Sequence, residues 1–74
     1  MSAPVSELPK SWPMAAGGAV SCREKLKTLA ANHAELAQVM QDAFEDAVLM
    51  GVDEAAMRDI LGGMVQGLRS PKRG

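Results

Sequence analysis

His33 and Cys22, the single histidine and single cysteine of this chain, have the widest chemical range among its residues, and both fall between Ser21 and Gly51. Either type ligates transition metals, but a structural zinc site takes four ligands and one copy of the chain supplies two such residues. Eleven residues separate them, about 16 Å along a helix, so they cannot share an ion within one helix. In a symmetric dimer two copies of His33 could meet around a metal. The reading adopted is plainer: a packed histidine with one hydrogen-bond partner, able to fix register or to make association sensitive to pH.

The carboxylates are Glu7, Glu24, Glu35, Asp42, Glu45, Asp46, Asp53, Glu54 and Asp59. A di-iron helical bundle needs a glutamate three residues before its histidine, and Ala30 stands there instead. Most of these acids fall on one polar helical face or at helix starts, as a solvated surface does. The sequence also contains no HExxH, no glycine-rich phosphate loop and no nucleophile with a base in register. Cys22 is read as packing. No catalytic, metal or cofactor site is expected, and the protein is not expected to be an enzyme.

The element that positions these residues is a long helix. From Cys22 the series Leu26, Leu29, His33, Leu36, Met40, Ala43, Ala47, Met50 advances by alternating steps of four and three, the seam of an amphipathic helix of coiled-coil type. No glycine or proline interrupts residues 22–50, roughly 43 Å of helix. Ser21 and Glu24 form the S-x-x-E capping box that predicts its start. Gly51 predicts its end, with Val52 returning an apolar contact onto the last turn. Asp53 then caps a second helix over about 54–68, with Met57, Ile60, Leu61, Met64 and Leu68 at helical spacing and Pro71 beyond its end. Gly62, Gly63 and Gly67 weaken this helix, and close approach to another backbone would explain them. Met40, Met50, Met57 and Met64 are placed on the inner faces, as core filler or as an adaptable groove.

The expected fold is therefore all-α, a helical hairpin over residues 21–69. Before it runs an extended, flexible arm of residues 1–20 rich in Pro and Gly, and after it a basic tail of residues 70–74. With 74 residues and one cysteine, the chain can form one small domain and no intrachain disulfide, so oligomerisation or a partner is expected to complete its core. A net charge of −1 gives no global attraction to nucleic acid or anionic lipid. No run approaches the roughly 20 apolar residues of a membrane span, and the first 20 residues lack signal-peptide order, so a cytoplasmic location is expected.

The second helix is shorter than the first and covers only its later half. Leu26, Leu29, His33 and Leu36, continuing to Met40, are left for something else to cover. Trp12, between Pro9 and Pro13, either folds back over the helices or anchors the arm in a partner's groove. The partner-binding residues are accordingly Trp12, Leu26, Leu29, His33, Leu36 and Met40. The function expected is a non-catalytic protein–protein interaction module: a small regulatory or accessory subunit or an assembly factor, associating with itself or with a larger protein.

The turn supports an alternative. Ala47, Met50, Gly51, Val52, Met57 and Ile60 resemble the spacing of a DNA-binding helix-turn-helix, which implies a small dimeric regulator. Its reading surface would be Asp53, Glu54, Ala55, Arg58 and Asp59, mostly acidic where phosphates must be approached, so nucleic acid is not the expected partner.

Overall fold

The computed structural model describes residues 7–72; residues 1–6 of the arm, and Arg73 and Gly74 of the basic tail, lie outside them. The chain is an all-α helical hairpin of α1 (Arg23–Leu49) followed by α2 (Glu54–Gln66). It divides into two compact units, Met1–Gln41 and Asp42–Gly74.

In the first unit the arm does more than extend. Gly17 and Gly18, with φ of 102° and 72°, let the chain reverse, because these left-handed conformations carry no Cβ penalty in glycine. The Gly17 N–H donates to the Met14 carbonyl (3.0 Å), the Met14 N–H to the Gly18 carbonyl (2.9 Å) and the Val20 N–H to the Trp12 carbonyl (2.9 Å). An isolated antiparallel bridge pairs Pro13 with Ala19. Residues 12–20 thus close into a tight loop, where composition alone suggested an extended strand of chain. The first hydrogen bond of α1, from the Leu26 N–H to the Cys22 carbonyl (2.9 Å), places Cys22 at the cap position. The capping box had put Ser21 there. Thr28 bonds back along the helix, its hydroxyl donating to the Glu24 carbonyl (3.2 Å).

In the second unit the turn is built as the sequence predicts. Gly51 takes φ of 101°, its N–H donates to the Val48 carbonyl (3.0 Å), and the Val52 N–H reaches back to the Ala47 carbonyl (2.9 Å). This pair of bonds is a Schellman closure, and it satisfies carbonyls that a helix end otherwise leaves open. Asp53 then caps α2: its Oδ2 accepts from the Ala56 N–H at 2.9 Å, and Glu54 adds negative charge at the amino end of the helix dipole. The helix stops at Gln66, two residues short of the expected end, where the Gly67 N–H donates to the Gly63 carbonyl (3.0 Å).

Candidate interaction face

The apolar residues of α1 in the first unit form two neighbouring stripes. One is covered. It runs through Leu26, Ala30, His33, Ala37 and Met40, and Ala37, 4% exposed, is the one buried side chain among the described residues. Trp12 and Val20 of the arm are half-buried in the same unit. Trp12 stands edge-on to His33, with ring centroids 6.2 Å apart and planes at 80°, a favoured geometry for two aromatic rings. Of the two readings of Trp12, the structure shows the fold-back. The arm itself supplies part of the missing cover.

The other stripe is open. Leu36 and Val39 are 60% and 65% exposed, and they line a shallow depression with Asn32 and Glu35. One turn earlier Leu29 lines a second depression with Val20, Glu24, Lys25 and Thr28. The six residues expected to bind a partner therefore separate. Trp12 and His33 meet each other; Leu26, Leu29 and Met40 are half-buried; Leu36 alone is exposed. Val39 was missed because its neighbour Met40 fits the predicted seam, and a one-residue step moves a side chain by about 100° around a helix.

Of the two ring nitrogens of His33, Nδ1 is buried without a hydrogen-bond partner. Such an atom costs free energy until something pairs with it. Cys22, expected to pack in the seam, is exposed. Among the described residues no group of three or more His, Cys, Asp and Glu is placed to hold a metal ion.

In the second unit the half-buried apolar residues are Ala43, Phe44, Ala47 and Val48 of α1, and Met57 and Leu61 of α2. Met50 and Met64, assigned to inner faces from their spacing, are instead 83% and 66% exposed, and Ile60 and Leu68 are exposed with them. Gly62 and Gly63 face open space: a Cβ built on either meets nothing within 4 Å. The close backbone approach expected of them is not made among the described residues.

The surface that a helix-turn-helix would turn to DNA has one cation at its centre, Arg58, and it is engaged twice. Its guanidinium carbon lies 4.8 Å from the centroid of Phe44, and its Nη1 is 3.8 Å from Glu54 Oε1. Among the described residues no helix is long and apolar enough to cross a membrane. No family model, no curated protein and no solved structure matches this chain.

Proposed function

We propose that this protein is a non-catalytic interaction module, a soluble cytoplasmic small subunit or assembly factor that works by burying the open stripe of α1 against another polypeptide. One observation carries the reading. With a single buried side chain among the described residues, Leu36 and Val39 stand side by side in solvent on α1. A neighbouring pair of large aliphatic residues on one helical face is the ordinary anchor of a helix-to-helix contact. The cover over the adjacent stripe supports the same view, because Trp12 and the arm hold His33 and leave the Leu36 side uncovered.

The mechanism is burial. Water leaves Leu29, Leu36 and Val39, and each aliphatic side chain contributes roughly 1.5–3 kcal/mol on full burial before the costs of association are deducted. The experiment compares the chain with a Leu36→Asp/Val39→Asp variant, each expressed at native level in its source cell. Size exclusion of the clarified extract should show the parent at a mass well above 7.8 kDa and the variant near it. Elution of both at the monomer mass refutes the proposal. Duplex DNA added to the purified protein should leave its mobility unchanged even at low salt, where nucleic-acid binding is strongest.

A further inference from the structure

Resting on that reading, we infer that the occupant of the open stripe is a second copy of this chain, laid antiparallel along α1. The first argument is charge. Between residues 23 and 28 α1 carries Arg23, Lys25 and Lys27 against Glu24 alone, whereas residues 42–46 carry Asp42, Glu45 and Asp46 and no cation. This order opposes the helix's own dipole, which favours anions at the amino end and cations at the carboxyl end, and the last turn of α1 has no basic residue. A second α1 running the other way sets the basic end of each copy on the acidic end of the other. It opposes the two dipoles as well. A parallel copy does the reverse, stacking like charges at both ends.

The second argument is spacing. Lys25, Leu29, Asn32, Leu36 and Val39 advance by four, three, four and three, and in sequence the same steps continue to Ala43, Asp46 and Met50. This is a heptad seam in its own right, distinct from the one under the arm. Pairing Leu36 of each copy with Val39 of the other makes a symmetric central layer from the two most exposed aliphatics of the stripe. In this register Lys25 faces Met50 of the second copy and Leu29 faces its Asp46, so Lys25 and the second copy's Asp46 come within about one helical turn of each other across the seam. Asn32 enters the seam one layer out, where a single polar side chain fixes register and disfavours slipped pairings. The self-complementary patch is the one a two-fold interface requires.

The lone cysteine makes the orientation measurable in the full chain. Cys22 is exposed and lies about 15 residues before the midpoint between Leu36 and Val39, so spin labels on the two copies stand about 45 Å apart in the antiparallel pair. In a parallel pair they stand about 10 Å apart. Light scattering of the purified, labelled protein up to about 100 μM gives the mass, and pulsed dipolar spectroscopy gives the distance. A dimer with the long distance is the expected result. A dimer with the short distance, or one that oxidises readily to a Cys22–Cys22 disulfide, overturns the orientation. A monomer throughout overturns the second copy as occupant. The extract experiment above separates that failure from failure of the interaction reading itself. A charge-reversal series gives an independent check. Asp46→Lys weakens dimerisation at least several-fold, and Lys25→Glu added to it restores the parent affinity. The two positions are 21 residues apart in sequence, so within a copy they are not the i, i+3 or i, i+4 neighbours that compensate on a helix. Failure of the double variant to recover would refute the pairing even if a dimer forms.

Discussion

Gly62 and Gly63 offer the most direct test of how completely the free chain accounts for its own sequence. Both lie inside α2, neither has a left-handed φ, and a Cβ on either meets no atom within 4 Å. Alanine at each position therefore adds a methyl without a clash and removes the excess backbone freedom that glycine retains when unfolded. The gain in a helix interior is about 1 kcal/mol per glycine. Gly63 contributes somewhat less than this, because it sits in the last turn, where its carbonyl accepts from the Gly67 N–H. The double variant should be more stable by roughly 1.5 kcal/mol, about a tenfold change in the folding constant. In urea, followed by circular dichroism, the midpoint should rise by about 1 M with little change in slope. An unchanged or lowered midpoint would refute the reasoning. It would mean that in solution these positions lie against another backbone, which the isolated chain does not show.

Substitutions at two further positions probe single atoms. Asp53→Ala removes the acceptor of the Ala56 N–H and should lower stability by about 1 kcal/mol in the same urea assay, while Asp53→Asn stays within a few tenths. His33→Phe keeps an aromatic ring edge-on to Trp12 and deletes the unpartnered Nδ1, so it should be neutral or stabilising by up to about 1 kcal/mol; a clear loss would show that Nδ1 has found a partner in solution.

What could be read from the sequence was local chemistry. The Gly51–Val52 closure and the Asp53 cap are legible because each rests on a backbone requirement met within five residues: a left-handed glycine, a returning N–H, a carboxylate beside the first turn. The length of α1 is legible from the absence of breakers. What could not be read was which stripe of α1 the chain would cover. Leu29 and Leu36, or Ala30 and Ala37, complete the same four-three rhythm one residue apart, and hydrophobicity favours the leucines. The structure decides the second pair, burying Ala37 and leaving Leu36 outward, while Leu29 and Ala30 are both half-buried. The loop of the arm was hidden for a similar reason: it depends on Gly17 and Gly18 taking positive φ in succession, and composition records only that they can.

The shortage of buried side chains also decides how the parts must be coupled. With Ala37 alone buried among the described residues, the hairpin cannot draw most of its stability from a core, and caps, the Schellman turn and helix propensity carry a larger share than in a bigger domain. Covering the Leu36–Val39 stripe would then stabilise the helix that bears it, and stabilising that helix would favour its cover, since any ligand that binds the folded state alone raises its stability by mass action. On the proposed reading, folding and association are one equilibrium. A change in α1 on the side opposite the stripe, such as a glycine at the exposed Ala34, should therefore weaken association by about the free energy it takes from the helix, on the order of 1 kcal/mol. A change in the loop of the arm should act on the covered stripe first. That ordering follows from which stripe each element touches, and on the proposed reading association depends on the exposed Leu36 more than on the half-buried His33.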